Sequence, residues 1–139
     1  MSKKTAFRQG QARHLMDVEI KVFPEFIAVI NRGKFSMADA QAGLIRVAEA
    51  CRIHQCAKVL LDGRALDGGF SIGDRFDLAE YVVSVLPQGT RLATLSNAPV
   101  YQPSKVFEHT ANNRGALVRT TNNPEEAAQF LGVDVKYLA

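Results

Sequence analysis

Asp62 and Arg64 stand on either side of a glycine in Val59-Leu-Leu-Asp-Gly-Arg64. The stretch behind them, Ala65-Leu-Asp-Gly-Gly-Phe-Ser71, carries Phe70 and ends on a serine. A carboxylate and a guanidinium this close can hold a polar ligand between them. They can also fix their own loop through charge-assisted hydrogen bonds, and that reading is preferred for this pair. Ser71 has two uses as well. With Asp74 three residues on, it can cap a helix by accepting an N–H of the first turn. Phosphorylated, it would put its charge where a helix dipole and free N–H groups stabilise it. The cap is preferred, because Ser36 and Asp39 repeat the spacing. Ser96 and Asn97 follow another short apolar segment. The candidate partner- or ligand-binding residues are therefore Asp62, Arg64, Phe70, Ser71, Ser96 and Asn97.

Catalytic and metal chemistry find less support. The histidines are His14, His54 and His109, and Ser96, His109 and Asp62 make a triad obtainable by chance. There is no Gly-x-Ser-x-Gly elbow. Gly-Gly-Phe-Ser-Ile-Gly lacks the Gly-Lys-Ser/Thr of a phosphate loop and the dinucleotide glycine spacing. Cys51, His54 and Cys56 suggest a metal, but on a helix Cys56 points away from the other two, and no second pair completes four ligands. Reduced thiols in a core are the better account. Aromatics interleaved with basic residues, as single-stranded nucleic acid requires, are absent. No catalytic residue, metal or cofactor is expected.

The elements that must position these residues are legible from periodicity. Residues 15–22 alternate apolar and polar, and Phe26-Ile-Ala-Val-Ile30 is a continuous apolar run, so the pair reads as an antiparallel hairpin with the second strand more buried. Ser36 opens a long amphipathic helix to about residue 54, with Met37, Ala40, Leu44, Val47, Ala48 and Cys51 on one face. Gly43 inside it points to close packing on the sheet. A short strand, Lys58 to Leu61, precedes the Asp62–Arg64 loop. The second helix starts at Ser71, turns Ile72, Phe76, Ala79, Val82, Val83 and Leu86 inward, and stops at Pro87-Gln-Gly89. Strand Arg91 to Leu95, a helix from about Pro103 to Asn113, strand Ala116 to Thr120 and a helix capped by Asn123 complete the chain. Polar residues end each parallel strand: Asn31 and Arg32, Ser96 and Asn97, Thr121 and Asn122.

The fold class is α/β, in the order β-β-α-β-α-β-α-β-α: a five-stranded, mostly parallel sheet with one antiparallel edge strand. The 139 residues suit one domain, here 14–139, behind a flexible tail over 1–13. Lys3, Lys4, Arg8 and Arg13 all precede the first acidic residue, Asp17, so the net charge of +3 belongs to the tail and the body is close to neutral. With no long apolar run and no signal peptide, a cytoplasmic protein without a membrane span is expected.

With the elements placed, the chain resembles the SpoIIAA-like superfamily, which includes the STAS domains of anti-anti-sigma factors and related STAS/SEC14-type small bacterial proteins. The resemblance covers roughly residues 15–132. It rests on the hairpin, Gly33-Lys-Phe-Ser-Met-Ala-Asp39, Val59-Leu-Leu-Asp-Gly-Arg64, Arg91-Leu-Ala-Thr-Leu95, Asn113-Arg-Gly-Ala-Leu-Val-Arg119 and Asn123-Pro-Glu-Glu-Ala-Ala-Gln-Phe-Leu131. It implies a module that self-associates and acts through protein contacts rather than catalysis. The signalling branch carries a phosphorylated serine in an Asp-Ser-Ser/Thr-Gly loop. Here the loop is Asp67-Gly-Gly-Phe-Ser71, with Gly68 at the serine position. The expectation is a non-enzymatic, STAS-like module in bacterial regulation that binds a protein partner, forms a homodimer, binds no nucleic acid and lacks that phosphoserine switch. The alternative is a small-molecule or lipid-binding module using the 62–71 loop.

Overall fold

The computed structural model describes residues 16–67, 71–97 and 102–139. The basic stretch 1–13, His14, Gly68 and Phe70 lie outside the described residues. The elements are β1 (Met16–Val22), β2 (Ile27–Gly33), α1 (Met37–His54), β3 (Lys58–Leu66), α2 (Ile72–Val85), β4 (Arg91–Leu95), α3 (Gln102–Asn113), β5 (Leu117–Thr121) and α4 (Pro124–Leu131), closed by a 3-10 turn (Val135–Leu138). The sheet runs β1-β2-β3-β4-β5 in sequence order; β1 is antiparallel to β2 and every other pair is parallel, as the element order implied. Among the described residues no helix is long and apolar enough to cross a membrane.

Sequential winding decides which face each helix covers. Right-handed crossovers that always step in the same direction put their helices on the same face of the sheet. Accordingly α1, α2 and α3 share one core with the sheet, in which Leu44, Val47, Leu78, Val82, Phe107 and Ala111 meet Ile27, Val29, Val59, Leu92 and Val118. Among the described residues the other face holds α4 and the 3-10 turn, where Ala127, Leu131 and Leu138 close over Phe26, Leu60, Ala93 and Leu95. Alternate residues of each strand serve the two cores, so β3 and β4 are apolar on both sides.

Local signals act as the residue types suggested. Ser36 Oγ accepts the Asp39 N–H at 3.3 Å, and Asn123 Oδ1 accepts the Glu125 N–H at 2.9 Å. Gly115 adopts φ 93° after α3, a conformation costly for any residue with a Cβ. Gly43 marks a close approach. A Cβ there would stand 3.0 Å from Val18 Cγ1, so α1 lies hard against β1.

Three expectations need correcting. The strand expected to stop at Leu61 runs on to Leu66, and the one expected to stop at Ile30 runs on to Gly33. Asp62 and Arg64 thus belong to a strand rather than a loop. The extension, in which β2 also keeps its pairing with β1, reaches beyond the end of β4, whose pairing with β3 stops at Asp62 and Leu95. Within it Ile30 pairs with Asp62 but Arg32 with Ala65, so Gly63 and Arg64 together oppose Asn31 in a β-bulge. The third correction concerns α2. It buries Leu78, Ala79 and Val82, while Ile72 and Phe76 are 58% and 39% exposed. Its apolar residues extend round more than one face, and docking against α3 selects the Leu78 side.

Candidate functional site

The bulge places Asp62 and Arg64 within reach of each other along one strand. Arg64 Nε donates to Asp62 Oδ1 at 3.0 Å and Nη2 to Oδ2 at 2.8 Å; the Arg64 backbone N–H adds a third bond to Oδ1 at 3.1 Å. Bonding to Asp62 raises the Arg64 guanidinium further above its ordinary pKa, against a smaller opposing effect of burial. The pair is a closed two-pronged ion pair that stiffens the extended end of β3. Asn97 Nδ2 then donates to the Arg64 carbonyl at 3.0 Å, tying the end of β4 to the bulge. The neighbouring Ser96 N–H donates to the Thr121 carbonyl at 3.2 Å.

Ser71 serves α2. Its Oγ accepts the Asp74 N–H at 2.9 Å and its N–H donates to Asp74 Oδ2 at 3.0 Å, a complete reciprocal cap. The structure therefore joins Asp62, Arg64 and Asn97 in one network with Ser96 beside it. It leaves Ser71 in a local capping role. Phe70 lies outside the described residues.

Arg64, Ser96 and Asn97 also border a cavity of about 260 Å³ at the C-terminal end of the parallel strands. A sequentially wound sheet has no switch-point crevice, and this cavity lies instead between the sheet and the three crossover helices. Its floor is a row of residues in register, with Leu61 beside Thr94 and Thr94 beside Thr120, and Asn31 opposite the bulge. Two strand positions earlier the same face carries Val29, Val59, Leu92 and Val118, all apolar. That change along the strands from apolar to Asn and Thr was the available signal for Asn31, Thr94 and Thr120. It becomes readable only once register is known. Thr94 Oγ1 donates to Thr120 Oγ1 at 3.0 Å, whereas Asn31 Oδ1 is buried without a hydrogen-bond partner among the described residues.

The other candidates are dispersed. Among the described residues no three His, Cys, Asp or Glu side chains gather as a metal site requires. His109 is exposed on α3, and both carboxylate oxygens of Asp62 are taken by Arg64. Cys51 is buried on α1, and burial pushes its thiol up from 9.0 to about 11. The unfolded chain then ionises first, so the stability from the buried thiol is full below pH 9 and is lost as pH rises toward 11. At pH 8 iodoacetamide is expected to label Cys56, which is only half-buried, well before Cys51. Equal rates in the folded protein, read by peptide mass spectrometry, would contradict this packing.

No protein-family model and no curated protein sequence matches the chain. Solved structures do. An anti-sigma factor antagonist from Mycobacterium paratuberculosis superposes with a TM-score of 0.59 at 13% identity, over 84% of this chain and 94% of its own. The anti-sigma factor antagonist SpoIIAA in its unphosphorylated form gives 0.53 at 12% identity, over 85% of this chain and 99% of its own. On these superpositions, and with its alternating β-α order and mostly parallel sheet, the chain has the SpoIIAA-like, STAS-type fold.

Proposed function

We propose that the chain is a non-enzymatic regulatory module that binds a protein partner, acting in the bacterial cytoplasm as a homodimer and without a phosphoserine switch. The observation that carries this reading is the exposed pair Ile72 and Phe76, 58% and 39% accessible in the first turns of α2. They lie on one helix face, four residues apart, directly after the Ser71 cap. Apolar side chains exposed in the first turns of a helix suit a docking surface with a hydrophobic centre and a polar rim. Asp62, Arg64, Ser71, Ser96 and Asn97, with Phe70, would form that rim. The fold shared with two anti-sigma factor antagonists supports the reading, and Gly68 at the serine position sets the switch aside.

The test is retention of a partner from a lysate of the source cell by wild-type protein, by Ile72→Asp and by a control, Val135→Asp, at a second exposed apolar position. Ile72→Asp is expected to weaken a specific partner by roughly 30-fold, as loss of a central contact does, with the control unchanged. Equal retention by all three proteins would refute the surface. Light scattering over a concentration series tests the homodimer, and a strict monomer removes that clause.

A further inference from the structure

We propose that the outer edge of β1 pairs antiparallel with β1 of a second copy of this chain. Ile20 lies opposite Ile20 at the two-fold axis, and the two sheets join into one. This pairing rests on the homodimer clause of the proposed function, gives it a surface, and is separate from the Ile72 and Phe76 face.

The two edges of the sheet are treated differently. At β5 the backbone groups of Val118 and Thr120 are taken by Asn112, Glu108 and Lys105 from α3. At β1, the opposite edge, no described side chain plays that part. The hairpin fixes which groups face outward there. The Phe23 N–H donates to the Phe26 carbonyl at 2.9 Å, so these two residues are a bonded pair. Bonded pairs recur at every second residue of an antiparallel ladder. Lys21, Glu19 and Asp17 therefore turn their backbone groups toward Ala28, Ile30 and Arg32. Those of Val18, Ile20 and Val22 point away from the sheet, and such a row is a template for another strand.

The side chains of β1 select both the occupant and the register. Asp17, Glu19 and Lys21 share one face, on which Arg32 bonds Asp17 at 3.1 Å and Glu19 at 2.9 Å and Lys21 is exposed. Val18 and Ile20 pack against the core on the other face, and Val22 beside them is 50% exposed. Two copies keep ladder geometry only where outward residues oppose outward residues, so the axis passes through a residue and its copy. With Val18 at the axis, Asp17 would face Glu19. With Glu19 or Lys21 there, that charge would face itself. With Ile20 there, Glu19 faces Lys21 of the second copy and Lys21 faces its Glu19, in the non-bonded positions where side chains stand closest. On the other face Val18 meets Val22 and Ile20 meets Ile20, which covers the exposed valine. One register satisfies both faces, and a second copy supplies the matching pattern by symmetry.

Sedimentation equilibrium of the full chain, over a concentration series at low salt, is expected to show a monomer–dimer equilibrium. Lys21→Glu and Glu19→Lys each set like charges opposite one another and are each expected to weaken the dimer about tenfold. An equimolar mixture of these two variants is expected to regain the lost affinity, because each then faces the opposite charge on the other. Ile20→Pro removes an outward N–H and no bond to β2, so it is expected to be monomeric with an unchanged circular dichroism spectrum. In the wild type the Val18, Ile20 and Val22 amides should gain hydrogen-exchange protection as concentration rises, with Glu19 and Lys21 protected throughout. A strict monomer would overturn this pairing together with the homodimer clause, leaving the Ile72 and Phe76 surface to its own test. A dimer that all three variants leave unchanged, or a mixture no tighter than either variant alone, would overturn the β1 edge and leave the homodimer standing.

Discussion

Glu108→Ala is expected to destabilise the protein by about 1.5–3 kcal/mol and to make it associate through the outer edge of β5. β5 is the last strand of the sheet, so half of its backbone groups face away from β4. Side chains of α3 satisfy them. Asn112 accepts the Val118 N–H through Oδ1 at 2.8 Å and donates Nδ2 to the Val118 carbonyl at 3.0 Å. Glu108 Oε1 accepts the Thr120 N–H at 2.6 Å, and Lys105 Nζ donates to the Thr120 carbonyl at 3.1 Å. Lys105 and Glu108 also bond each other at 3.0 Å, so one side-chain pair covers two backbone groups. An edge occupied in this way offers nothing to a foreign strand, and a homodimer would have to form elsewhere. Removing the carboxylate uncovers the Thr120 N–H and strips Lys105 of its counter-charge. Urea denaturation reads the stability loss, and light scattering against concentration reads the association. An unchanged midpoint with no association would show that the edge does not depend on Glu108. Adding Asn112→Ala is expected to strengthen the association.

Phe26→Ala is expected to cost about 3–5 kcal/mol, the largest effect of any substitution considered. Phe26 is fully buried on the face that, among the described residues, α4 and the 3-10 turn cover. Its ring stacks on Phe23 with centroids 4.7 Å apart, and Tyr137 meets both rings at 5.6 and 6.1 Å. The cluster therefore holds the chain's last turn against the first hairpin. Alanine would leave a cavity beneath α4 and the 3-10 turn, and the amides of Val135–Leu138 should lose hydrogen-exchange protection along with global stability. A loss below about 1 kcal/mol, or unchanged protection of those amides, would show that the turn is anchored by Leu138 alone.

Much of the architecture was legible because its signals are local. Alternation in residues 15–22, the apolar run from Phe26, the caps at Ser36, Ser71 and Asn123 and the left-handed glycine at 115 each depend on a few neighbouring residues. Alternating strands and helices with short links then admit few windings, and the sheet takes the sequential one. The site was less legible. Leu61 looked like a strand end because Asp62-Gly63-Arg64 has turn composition. Pairing with β2, and an ion pair that satisfies both charges, keep the chain extended instead.

By itself the sequence determined the order and type of the elements, the sidedness of the hairpin, the use of Ser71 as a cap and the glycine where the signalling serine would stand. Only the tertiary structure decided which face of α2 is buried, how far β2 and β3 extend, that α3 seals the β5 edge, and that Asn31 Oδ1 is buried without a partner among the described residues. The division has a physical cause. Caps and periodicity are interactions over one or two turns and are written in adjacent residues. Register, helix docking and cavity shape depend on side chains that meet only after the whole sheet has formed, as Thr94 and Thr120 do across β4 and β5.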